Sequence, residues 1–81
     1  MWYIIMATAY ALINFDMGSE ESVIDDLKSI TGVKNVNGVF GAYDLIVEVQ
    51  TPTVDNLRET ITKIRKISGV RTTLTLMTVE Y

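Results

Sequence analysis

The phrase Ile30-Thr31-Gly32-Val33-Lys34 returns 37 residues later as Ile67-Ser68-Gly69-Val70-Arg71, and each copy follows apolar residues at helical spacing. Internal repetition constrains a fold more tightly than composition does. An interval of this size is about the length of a strand, helix, strand unit, so the chain reads as two related halves.

Trp2, Tyr3, Ile4, Ile5 and Met6 run into Tyr10, Ala11, Leu12, Ile13 and Phe15, β-prone residues apolar on both alternating faces, as in a strand covered on two sides. Met1 to Phe15 is neither a membrane span nor an export signal. A span needs about 20 apolar residues, Thr8 and Asn14 interrupt this run, and no basic residue precedes it. Asp16 to Ser19 break the strand. Ser19 is placed to cap a first helix, with Glu20 and Glu21 in its electropositive first turn and Val23, Ile24, Leu27 and Ile30 on its buried side. Gly32 stands where a left-handed stop belongs.

A second strand is expected from Val33 to about Phe40, then a tight reversal at Gly41 and Ala42 into a third strand, Tyr43 to Gln50. There Tyr43, Leu45, Val47 and Val49 form an apolar face for the helices, alternating with Ala42, Asp44, Ile46, Glu48 and Gln50. Pro52 and Thr53 start a second helix that buries Leu57, Ile61, Ile64 and Ile67 and ends at Gly69. Val70 to Tyr81, rich in threonine, is the last strand. The order is therefore βαββαβ over a single domain, residues 1–81. Right-handed crossovers put both helices on one face of a four-stranded antiparallel sheet, an α+β architecture. Tyr10, Leu12 and Ile46 are left on the other face, too apolar for water, so a second copy packing sheet to sheet is expected.

A chain of 81 residues buries only about 60% of its unfolded surface, yet 48% of this one is hydrophobic. Some of that apolar surface belongs in a subunit interface. Cysteine and histidine are both absent, which removes disulfides, thiolate chemistry, histidine catalysis and the usual zinc sites. A net charge of −3 argues against a nucleic-acid footprint, and the one basic cluster, Lys63, Arg65, Lys66 and Arg71, is explained by a helix C-terminus. Gly18, Gly38 and Gly41 are isolated, so there is no phosphate loop and no cofactor is expected. Asp44 and Glu48 are the only carboxylate pair on a strand, and no basic or nucleophilic partner is evident.

Two segments are candidates for ligand contact. Gly41-Ala42-Tyr43-Asp44 places an anion at a turn, expected on the uncovered face, where it can hold an ammonium group through charge-assisted hydrogen bonds. Thr73 to Met77 offers hydroxyls and strand-edge backbone groups for a carboxylate. Read alone, each also suits an ordinary hairpin and an ordinary edge strand.

Three segments in order, Ala9-Tyr10-Ala11-Leu12-Ile13, Val39 to Val47 with Gly41-Ala42-Tyr43-Asp44 at its centre, and Gly69-Val70-Arg71-Thr72-Thr73-Leu74-Thr75, resemble the ligand-binding domain of the Lrp/AsnC regulators. The same hairpin argues for this family over the ACT domain, which has a similar topology. The resemblance implies a ferredoxin-like fold that dimerises through its sheets into an α/β barrel, rings of dimers, and an amino-acid effector bound between dimers. It assigns the effector to Gly41, Ala42, Tyr43 and Asp44 together with Thr75, Leu76 and Met77. Asp44 would take the ammonium group, and Thr75 or backbone groups the carboxylate. Family regulators carry a winged helix-turn-helix before this module, whereas this chain starts at Met1. A cytoplasmic stand-alone form is thus expected, not itself on nucleic acid, sensing amino acids or joining a full-length regulator. A purely structural assembly role is the alternative. A small dimeric α/β barrel enzyme would need a polar set on the helix-facing side, and none is evident in the sequence.

Overall fold

Two glycine turns of the same kind finish the two helices. The Val33 N–H donates to the Ile30 carbonyl and the Val70 N–H to the Ile67 carbonyl, both at 3.2 Å, with Gly32 at φ +101° and Gly69 at φ +95°. Only glycine adopts such angles without steric penalty, so the repeated phrase encodes one turn used twice. Each glycine carbonyl then docks on a neighbouring strand: Gly32 accepts from Gln50 N at 2.8 Å and Gly69 from Asp16 N at 2.7 Å.

The computed structural model describes residues 6–79. The elements are β1 (Ala7–Phe15), α1 (Glu20–Ser29), β2 (Val33–Gly38), β3 (Leu45–Thr51), α2 (Val54–Arg65) and β4 (Val70–Met77). The expected start of the first strand at Trp2 to Ile5 and the last two residues of the fourth lie outside the described residues. The strands form one antiparallel sheet in the order β2-β3-β1-β4. The βαββαβ expectation and its ferredoxin-like arrangement hold.

Both helices cover one face. Ala9, Ala11 and Ile13 of β1 and Leu45, Val47 and Val49 of β3 are buried against Val23 and Leu27 of α1 and Leu57, Ile61 and Ile64 of α2. Each fully buried Val, Leu or Ile side chain contributes roughly 1.5–3 kcal/mol. The alternation in β3 is as read from sequence, with Leu45, Val47 and Val49 inside.

Two local readings need correction. Ser19 precedes α1, but its side chain makes no cap: at φ −100° and ψ 3° its hydroxyl donates to the Asp16 carbonyl at 2.6 Å instead. Thr53, in extended backbone, does cap α2, accepting from Asn56 N at 3.1 Å. The reversal at Gly41 and Ala42 is not a tight one. β2 ends at Gly38 and β3 begins at Leu45, and the loop 39–44 is closed by Val39 N–H to the Asp44 carbonyl at 3.0 Å, with Gly41 at φ +126° and Phe40 fully exposed.

The other sheet face has no helix over it. Register aligns Leu12 with Ile46 on one side and Leu74 on the other, and Tyr10 with Leu76. Leu74 and Leu76 are 44% and 52% exposed, so this stripe is half open to water. Towards β2 the face turns polar, where Asn35 Nδ2 donates to Glu48 Oε1 at 2.6 Å. The apolar stripe therefore lies off centre, over β1 and β4.

Candidate functional site

Asp44 sits one residue before β3, and its backbone N–H donates to the Ile13 carbonyl at 2.9 Å. Its side chain turns to the end of the sheet: Oδ2 accepts the Phe15 N–H at 3.1 Å, in the place a strand carbonyl would take. This overturns the expected placement on the uncovered face. The physical reason is that β3 begins only at Leu45, so past Ile13 the amides of β1 have no β3 carbonyl opposite them and need another acceptor. A carboxylate accepts several donors, so one such bond leaves capacity for a ligand.

A hollow of about 450 Å³ lies beside it, lined by Phe15, Glu20, Gly38, Val39, Phe40 and Asp44. Two carboxylates and two aromatic rings share this space, a combination suited to an ammonium group attached to an apolar body. Gly41 shapes the loop through its positive φ, Ala42 is exposed and Tyr43 half-buried. Glu20, read from sequence only as a first-turn residue of α1, joins the hollow because the β1–α1 connection folds back over the end of the sheet. Nothing local in the sequence signals that.

The second expected group lies elsewhere. Thr75 pairs with Ala11 and Met77 with Ala9, whereas Asp44 is bonded opposite Ile13 on the other edge of β1. Along β1, two residues of strand (about 7 Å) separate Thr75 from Asp44 and four (about 13 Å) separate Met77, and β1 itself lies between β3 and β4. Within one chain the two groups are therefore not brought together. Strand alternation divides the second group further, with Leu76 on the open face and Thr75 and Met77 on the helix side.

Thr75 and Met77 line a groove with Leu57, Arg58, Ile61, Thr62 and Arg65 of α2. The polar residues of this groove do not converge on one point: Arg58 and Arg65 are exposed, and Thr62 Oγ1 donates back to the Arg58 carbonyl at 2.9 Å. Asp44 and Glu48 are not a pair either, since one is bonded to Phe15 and the other to Asn35. Among the described residues no three acidic side chains gather as metal ligands, and no helix is long and apolar enough to cross a membrane.

A four-stranded antiparallel sheet with one helical layer and an open, half-apolar face defines a ferredoxin-like α+β module. The chain belongs to the Lrp/AsnC ligand-binding domain family, whose model matches residues 8–80. A crystal structure of a hypothetical protein from Pyrococcus horikoshii is 37% identical, with a TM-score of 0.83 over 93% of this chain and 92% of that one. An HTH-type transcriptional regulator of the same organism is 34% identical over 74 residues, 86% of this chain and 49% of the regulator. Homocitrate synthase of Saccharolobus solfataricus is 41% identical over 59 residues, 73% of this chain but only 13% of the synthase. A Neisseria meningitidis transcriptional regulator solved with L-Met shares the fold alone, with a TM-score of 0.83 at 9% identity, over 91% of this chain and 50% of that one.

Proposed function

We propose that this chain is a non-enzymatic, amino-acid-responsive module of regulation that works as a cytoplasmic oligomer. Family members bind amino-acid effectors and form oligomers, and one regulator of this fold was solved with L-Met. The observation that carries the reading is the hollow at the hairpin, where Asp44 and Glu20 face Phe15 and Phe40. Asp44 anchors the ammonium group, and the loop from Gly41 to Tyr43 shapes the approach. The effector's carboxylate is met by a second copy, since the Thr75 to Met77 segment of the same chain lies on the far side of β1 from Asp44. Matches to both a transcriptional regulator and a biosynthetic enzyme suit a module that reports a metabolite to whatever it is attached to or assembled with.

A thermal-shift panel of the twenty amino acids tests this. One or more should raise the melting temperature of the wild type, since a ligand at a hundred times its Kd stabilises by about 2.7 kcal/mol. Asp44→Asn keeps an oxygen to accept the Phe15 N–H but removes the charge, so it should fold and lose the response. A flat panel in the wild type defeats the sensing claim.

The half-open stripe of Leu12, Ile46, Leu74 and Leu76 favours a second reading, a purely structural partner of a full-length regulator. Co-purification with such a regulator that Asp44→Asn does not weaken would select it.

A further inference from the structure

We propose that Glu48 sets how tightly the open sheet face pairs with a second copy of this chain, and that it couples this pairing to proton uptake. The proposal rests on the sheet-to-sheet packing expected of that face. Alternation along the strands places Tyr10, Leu12, Ile46, Leu74 and Leu76 there, with asparagine, glutamine and threonine around them. Among the described strand residues, Glu48 is the one charged side chain that register sets on this face. It is half-buried in a single chain, two residues along β3 from Ile46 and directly opposite Tyr10, whose other neighbour is Leu76. A partner sheet that covers Ile46 and Tyr10 therefore covers Glu48.

No cation stands beside it. From β2, Asn35 Nδ2 donates to its Oε1 at 2.6 Å, and from β1 it faces Tyr10. Lys34 falls in the irregular stretch between Val33 and Asn35 and lines a hollow with Thr60 and Lys63 of α2, which turns it towards the helical side. Arg71 precedes Thr72, the partner of Asn14, and four residues of β1, about 13 Å, separate Asn14 from Tyr10. Asp44, the other carboxylate near β3, is bonded to Phe15 N at the end of the sheet. A carboxylate has about four lone-pair sites, so a single protein donor leaves most of its solvation to water. A second sheet about 10 Å away displaces that water, and a two-fold pair covers two such charges at once. Burying a charge without a partner opposes association, whereas a neutral amide with the same hydrogen bond is far cheaper to cover. Burial also disfavours the charged form of a carboxyl group. The dimer therefore binds more protons than two separate chains, and by linkage its formation tightens as pH falls.

Sedimentation velocity over a range of concentrations tests this, with the wild type, Glu48→Gln and Glu59→Gln each run at about pH 7.5 and about pH 5.5, both above the ordinary glutamate range. Glutamine keeps an oxygen for the Asn35 amide, so the first variant should fold. Wild-type dimerisation should tighten about tenfold or more at the lower pH. Glu48→Gln should already be tighter than wild type by about that factor at the higher pH, and should lose most of the pH response. Acid also shrinks the net charge of −3, which by itself favours association. Glu59→Gln controls for that, since it removes the same charge from an exposed place on α2, and it should follow the wild type. Equal dimerisation of wild type and Glu48→Gln at the higher pH, an undiminished pH response in Glu48→Gln, or the same gain in Glu59→Gln would overturn the proposal and leave the sheet packing standing. Monomers of all three proteins at both pH values, at tens of micromolar, would overturn it together with the packing it rests on.

Discussion

At Gly69 an added Cβ would lie 2.8 Å from both Cβ and Oγ of Ser19 and 3.0 Å from Val23 Cγ2, in a backbone already at φ +95°. Gly32, its counterpart in the first half, would meet only the Thr51 methyl at 3.2 Å among side-chain carbons. Both substitutions to alanine carry the left-handed penalty of about 1–2 kcal/mol. Gly69→Ala adds overpacking of about 1–3 kcal/mol, because Ser19 is held by its own bond to the Asp16 carbonyl and cannot yield freely. Urea denaturation should therefore rank Gly69→Ala below Gly32→Ala, with Gly32→Ala below wild type. The repeat made both glycines legible from sequence. Which of the two is crowded depended on how the β1–α1 connection packs against the final turn.

The two helices start differently although their first residues look alike. Thr53 holds Asn56 N in extended backbone, whereas Ser19, with ψ near zero, directs its hydroxyl backwards. Thr53→Ala should lose about 1 kcal/mol as a true cap does. Any loss in Ser19→Ala comes instead from its bonds to the Asp16 and Gly69 carbonyls, at 2.6 and 3.5 Å. Helix content followed by circular dichroism on heating separates the cases: fraying of α2 in the first, cooperative loss of the whole fold in the second. Periodicity located both helices and all four strands. It could not resolve the ends, since the loop 39–44 opens for reasons of backbone conformation at Gly41 and of Asp44 completing the β1 ladder. Asp44 itself was legible as a candidate. Its direction was not, because alternation ceases where the strand does.

Across the molecule, apolar residues are divided between a closed helical side and a sheet face left half open. The stripe of Leu12, Ile46, Leu74 and Leu76 is flanked on the β2 side by Asn35, Asn37 and Glu48, so a partner sheet should centre on β1 and β4. Sheets pack face to face about 10 Å apart, and a two-fold partner would cover the same stripe with itself. Leu76→Lys is a clean probe, since that side chain is 52% exposed and contributes little to the fold of one chain. Sedimentation velocity should show the wild type as a dimer or larger and the variant shifted towards monomer. A monomeric wild type at tens of micromolar would remove the sheet-to-sheet assembly.

By itself the sequence determined the element order, the two glycine turns, the buried face of β3, the open face of the sheet and the family. These follow from periods of two and 3.6 residues and from the few residues able to take positive φ, all of which act locally. The tertiary structure alone decided which functional candidates share a space. It put Glu20 beside Asp44 and separated both from Thr75, which it set instead among Arg58, Arg65 and Met77. Glu20 and Asp44 come from different halves of the chain and Thr75 meets its neighbours within the second half, and the sheet order β2-β3-β1-β4 fixes how far apart the two places stand.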